Sequence, residues 1–187
     1  MNTPAHMALG LAVLGRRATR AEWAVILAGA LLPDAFLFAE HFLRGRGAGD
    51  LVALDALVDI FNSALVYAAA VAAGLLLRQR WLWLLAAAAL LHIAFDLPLH
   101  AGDAHAHFWP VSDWRLVSPV SFWDADHHGR LFGVLEGVAF AACLVVIWRR
   151  LETRAGQALT ALFAVVYLNA FVHFVGHAWA GQHWALW

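Results

Sequence analysis

Between Leu90 and Arg130 the chain reads LLHIAFDLPLHAGDAHAHFWPVSDWRLVSPVSFWDADHHGR, which holds six of its eleven histidines and five of its thirteen acidic residues. Histidine and aspartate at this density are the donors of a metal site. His92 and Asp96 stand four residues apart, so on a helix they share one face and can grip one ion from adjacent turns. His100 continues the spacing, but Pro98 discourages helix at Leu97, which places His100 at the start of a loop. A hydrolytic metal site needs such ligands and an open position where water is acidified into a nucleophile. His6, Asp34, His92, Asp96 and His100, with one or more of Asp103, His105 and His107, supply donors for two or three ions. Two ions would suit displacement at phosphorus. Asp124, Asp126, His127 and His128 form a second dense cluster. Three roles are open to it: completing the metal shell, protonating a leaving group through Asp124 or His127, or solvating a surface loop.

These residues sit in a chain that is 63% hydrophobic and 13% charged, with a mean hydropathy of +0.70. That composition belongs to a polytopic membrane protein rather than an ordinary soluble domain. The net charge is −1 and all twelve basic residues are arginines in short clusters between apolar runs, so there is no basic patch to suggest a nucleic-acid partner. Cys143 is the single cysteine, which rules out a cysteine metal cluster. MNTPAHMALGLAVLGRR has its arginines after its short apolar run, the reverse of a cleaved signal peptide.

Six apolar segments must position the donors. Thr3 and Pro4 suit an N-cap and first helical position for a segment ending near Gly15, too short to span a bilayer comfortably. Glu22 to Phe42 is long enough to cross; it is interrupted by Pro33, which frees the Gly29 carbonyl and is followed at once by Asp34. A third segment, Asp50 to Leu77, opens with Asp55, Asp59, Asn62 and Ser63 on one side and continues as a wholly apolar run. The fourth, Trp81 to about Leu97, ends in His92 and Asp96. The loop from 99 to 130 is too long for a simple connector and too polar for lipid. Leu131 to Trp148, with Glu136 near its start, and Gln157 to about Trp179, with Asn169, His173 and His177 at four-residue steps, complete the chain. His173 and His177 read as supporting residues, while His41 and His183 read as interfacial, as do most of the ten tryptophans, including Trp184 and Trp187. The expectation is an all-α polytopic membrane bundle of about five to six helices, one integral domain over residues 1–187, with 99–130 as its site-bearing loop.

If the segments alternate direction, His6, Asp34, Asp55, Asp59, Asn62, His92, Asp96, Glu136, His173, His177 and the 99–130 loop all fall in one half of the bilayer. One buried histidine reads as a hydrogen-bonded structural residue. A whole set reads as a site, because each member would otherwise need its own partner in hydrocarbon. The opposite face collects Arg16, Arg17, Arg20, Arg78, Arg80, Arg149, Arg150 and Arg154, against Arg44, Arg46, Arg115 and Arg130 on the site side. The positive-inside rule then turns the site away from the cytoplasm of a bacterial inner membrane.

His6 in TPAH, Asp34 in LLPD, the polar start of the third segment and HIAFD with its loop resemble the YdjM-like membrane-bound metal-dependent hydrolases over most of residues 3 to 130. HAHFWP and SPVSFWD resemble a subgroup of these proteins sometimes labelled cobalamin-related. The order His, Asp, then His-x-x-x-Asp is more distantly similar to the zinc-dependent phospholipase C and single-strand nuclease group, whose sites hold clustered zinc. Where the YdjM-like pattern has His before Ser in the third segment, this chain has Asn62 before Ser63. Asparagine is a poor zinc ligand, so either a loop histidine takes the place or one metal position is lost.

Together these readings give a metal-dependent hydrolase using a divalent ion, zinc or alternatively manganese. His6, Asp34, His92, Asp96, His100, Asp103 and His105 form the metal set, and Asp124 or His127 is the general acid. Its partners are the lipid bilayer and a small-molecule or lipid substrate, best a phosphoester that reaches a site at bilayer depth. Two other classes could use the same residues. A divalent-metal carrier needs access from both faces, whereas the polar residues stop in one half. A haem protein needs facing histidines with few carboxylates nearby, and this setting is rich in aspartate.

Overall fold

A backbone in hydrocarbon must satisfy its own hydrogen bonds, and the apolar runs do so as helices. The computed structural model describes residues 1–47, 49–151 and 153–182. Among the described residues the regular structure is helical throughout: α1 (Thr3–Leu14), α2 (Arg20–Gly45), α3 (Val52–Phe61), α4 (Ala64–Leu76), α5 (Arg80–Asp96), α6 (Gly129–Arg150) and α7 (Arg154–Ala180). Short 3-10 turns follow α1 and α5 and precede α6. Four helices, α2, α5, α6 and α7, are long and apolar enough to cross a membrane, or five spans if α3 and α4 count as one bent pair. His183, Trp184 and Trp187 lie outside the described residues.

The short first segment is an inserted helix. Asn2, rather than Thr3, is its N-cap, accepting from the Ala5 N–H at 3.2 Å. Its first residues are buried, with Met1 8% and His6 1% exposed. At the other end Arg150 Nη1 donates to the Leu11 carbonyl at 2.8 Å and the Trp23 indole N–H to the Gly15 carbonyl at 3.1 Å. The last carbonyls of a helix have no partners within it, so these donors let α1 end inside the bundle.

The third segment is two helices rather than one. α3 and α4 meet at Asn62 and Ser63 with a 54° bend. Ser63 caps α4 through the Val66 N–H, the Ala64 N–H donates to the His107 carbonyl at 2.8 Å, and His107 Nδ1 donates to the Asn62 carbonyl at 2.8 Å. The polar loop thus satisfies the backbone groups that the break frees, which is how a broken helix is tolerated at membrane depth. The loop itself is fastened to the end of α5: the Ser118 N–H donates to the His100 carbonyl (3.0 Å) and the Ser118 hydroxyl to that of Pro98 (2.6 Å).

α2 and α5 approach closely at Gly29, where an added Cβ would lie 2.1 Å from the Leu85 carbonyl oxygen. Backbone cannot yield as a side chain can, so Gly29→Ala must separate the two helices that carry Asp34 and His92. We expect it to lower stability in detergent by about 1 to 3 kcal/mol. Gly45→Ala, with nothing within 4 Å of its added Cβ, should be neutral or slightly stabilising. Thermal unfolding of both variants checks this, and equal melting temperatures would contradict the close packing.

Candidate metal centre

Proline 33 and the helix turn before it set the geometry of His92. The Ala30 carbonyl in that turn lies 2.7 Å from His92 Nδ1, and a carbonyl can only accept, so Nδ1 carries the proton. In the neutral imidazole the lone pair then falls on Nε2, which is buried without a hydrogen-bond partner and lies 3.5 Å from Asp34 Oδ1 and 3.8 Å from Asp96 Oδ2. A backbone carbonyl fixing the far nitrogen is the usual support of a metal-ligating histidine.

His6 comes from α1 and stacks on His92, ring centroids 3.6 Å apart and planes 12° from parallel. Its Nε2 is 3.1 Å from Asp96 Oδ1. One ligand atom from each of His6, His92 and Asp96 lies within 4.8 Å of the others, and all three residues are buried. Two imidazoles and a carboxylate buried together are a ligand set suited to a first-row divalent ion, so this group could hold a metal. Asp34 stands beside it, its Oδ2 accepting from the Thr3 hydroxyl.

His100 extends the group outward. Nε2 lies 2.9 Å from Asp96 Oδ1 and Nδ1 lies 2.8 Å from Asp103 Oδ2, yet neither contact has hydrogen-bond alignment. Burial alone would lower the His100 pKa, but Asp103 and Asp96 outweigh it and hold it up at about 9. An ion held by His100 would have to displace that proton. Asp103 accepts from the Trp123 indole at 3.4 Å and, despite partial burial, is kept below the ordinary carboxylate range by His100. His105 is adjacent, its ring 6.0 Å from that of His100; burial, with the nearby His100 charge, pushes its pKa down to about 4, leaving a neutral imidazole. His107 is turned to the helix break, and burial lowers its pKa as well.

Seven of the residues singled out from the sequence thus form one connected line: Asp34, His92 and His6 around Asp96, then His100, Asp103 and His105. Asp124 and His127 stand apart from it. His127 Nδ1 is 2.7 Å from Asp124 Oδ2, and Asp124 also accepts from the Asp126 N–H, so their bonds run within one half-exposed turn. The link back is Trp123, which reaches Asp103 and packs its ring 5.1 Å from that of His177. Asn62 spends its side-chain amide on the Pro33 and Val58 carbonyls, at 3.1 and 3.0 Å, and so bridges helices.

Two supporting contacts escape the spacing argument. Thr3 orients Asp34, and Asn2 donates to Glu136 Oε1 from its backbone at 3.3 Å and from its side chain. The polar pair Asn2–Thr3 ahead of an apolar run was the available signal, and it reads equally well as a cap. No protein-family model, curated protein or solved structure matches the chain.

Metal content separates these residues experimentally. Elemental mass spectrometry of the detergent-purified protein should find metal in the wild type and its loss in His6→Ala, His92→Ala and Asp96→Ala. Asp124→Ala and His127→Ala should keep it. Metal retained in the His6 variant would show that α1 contributes no ligand.

Proposed function

We propose that this chain is a membrane-embedded metal-dependent hydrolase acting on a phosphoester in a lipid or lipid-linked molecule. The observation that carries the reading is the convergence of His6, His92 and Asp96 in a buried group, with His92 Nε2 turned into it by the Ala30 carbonyl's hold on Nδ1. Zinc, or alternatively manganese, is the ion we assign there. Asp34 and His100 are the next donors, and Asp103 and His105 beyond them are our candidates for a second position. Bound at this group, a divalent ion supplies Lewis acidity toward a phosphoryl oxygen and lowers the pKa of water. The chain's own residues prepare for that. Thr3 holds Asp34, the Asp103 carboxylate lies 2.8 Å from His100 Nδ1, and the apolar helices around the group keep its dielectric low.

Asp124 and His127 remain our candidates for protonating the leaving group. Paired to Asp124 through Nδ1, His127 would deliver a proton from Nε2, and that role requires its turn to approach the cluster. The substrate class follows from depth: a donor group set within apolar helices is reached most directly by a molecule already in the bilayer. The eight arginines gathered at the other end of the bundle support a site facing away from the cytoplasm, in a bacterial inner membrane.

The reading is tested on chelator-treated protein in detergent. Zinc or manganese should restore phosphate release from phosphatidic acid, Asp96→Ala should abolish it, and Asp103→Asn should lower kcat/KM by about 10- to 100-fold, as expected of an outer support. A metal-loaded wild type that releases no phosphate from lipid phosphates would remove the proposal.

A further inference from the structure

Beside the metal group the bundle carries a cavity of about 150 Å³ between α1, the end of α5 and one face of α6. Its lining is apolar except for Glu136. A cavity of about this size, lined by apolar side chains, takes up a hydrocarbon the size of benzene, on the order of six carbons. Three features say what fills it. Its walls include Phe95 and Leu135, which are 44% and 49% exposed on helices long enough to span, so it opens on the flank that meets lipid chains. Its upper wall is Met1, whose amino group lies 2.7 Å from Asp96 Oδ1, so one end abuts the metal group. Its α6 wall repeats at helical spacing from Phe132 through Leu135 and Ala139 to Cys143, a rise of about 16 Å, which is half the roughly 30 Å hydrocarbon thickness of a bilayer. Glu136, its one polar lining residue, accepts through Oε1 from Asn2 near the end of α1 that carries His6. Polarity at the metal end and apolar walls below match an amphiphile with its head at the cluster.

We propose that this groove receives the acyl chain of a phosphate-bearing lipid, entering sideways from the leaflet on the site's own side and leaving the phosphate at the His6–His92–Asp96 group. The proposal rests on the lipid-phosphoester reading above for its headgroup, but the groove has a readout of its own. Phosphatidic acid with a diazirine in mid-chain is photolysed with the full-length protein in nanodiscs, and adducts are mapped by peptide mass spectrometry. Adducts should concentrate on α6 between Phe132 and Cys143. Ala139→Phe, which fills the groove from an exposed position, should reduce them several-fold while metal content stays unchanged. Should that variant fail to fold, the single cysteine gives a second measurement in the wild type. Alkylation of Cys143 by N-ethylmaleimide should be slowed by long-chain phosphatidic acid and not by its dihexanoyl form.

Labelling spread as heavily over α7 as over α6, or labelling indifferent to Ala139→Phe, would overturn the proposal. Groove labelling without phosphate release would sink the hydrolase reading alone. Phosphate release with uniform labelling would sink the groove alone.

Discussion

A single carboxylate oxygen organises this bundle. Asp96 Oδ1 lies within 3.1 Å of nitrogens from Met1, His6 and His100, and its residue is only 3% exposed. A carboxylate inside apolar helices costs several kcal/mol unless donors or a cation surround it. Meeting that requirement recruits three separate parts of the chain: the first turn of α1, the last turn of α5 and the start of the polar loop. The short first helix makes sense in these terms. Too short to cross a membrane, it is long enough to carry His6 and the Met1 amino group to the end of α5.

The two irregularities in the helices are tied to the same place. Pro33 loosens α2 where the Ala30 carbonyl accepts from His92 and the Pro33 carbonyl accepts from Asn62. The break at Asn62 and Ser63 is satisfied in turn by the loop through His107 and Trp109. Polar side chains from other elements thus bind backbone carbonyls at both irregularities: His92 and Asn62 in the turn around Pro33, and His107 at the break. Local irregularity and the site are one arrangement, as expected where broken helices are tolerated only when buried in protein.

What could be read from the sequence, and what could not, follows from the range of the forces involved. Helix positions were legible from apolar run length, and Pro98 correctly ended α5 beside Asp96 with His100 in the loop. The pairing of His92 and Asp96 was a matter of helical spacing, and the addition of His6 and Asp34 followed from alternating direction. The break in the third segment was not legible, because Asn62 and Ser63 occur in unbroken helices too and only the loop residues that cap the break reveal it. Nor did residue type separate Asp124 and His127 from the metal group. Their density looked the same as that of Asp103 and His105, and loop geometry, which spacing does not encode, decides which pair lies near Asp96. Thr3 was read for capping, although Asn2 caps the helix and Thr3 reaches Asp34 on another helix.

The depth of the site is a count of helical turns from the arginine-rich end. That end is tied by Arg80 to Glu22 and to the Arg17 carbonyl, and by Arg150 to the Leu11 carbonyl. From it, Arg20 to Asp34 rises about 21 Å, Arg80 to His92 about 18 Å and Arg17 back to His6 about 17 Å at the helical rise per residue. Three helices of different length and direction therefore deliver their donors to nearly one level above the arginine-rich end. Agreement among independent helices is hard to obtain from side chains placed merely to satisfy hydrogen bonds, since each could find a partner at its own depth. A site that requires several ligands at one point demands it, and the shared level is the strongest physical ground for treating His6, Asp34, His92 and Asp96 as a single functional unit.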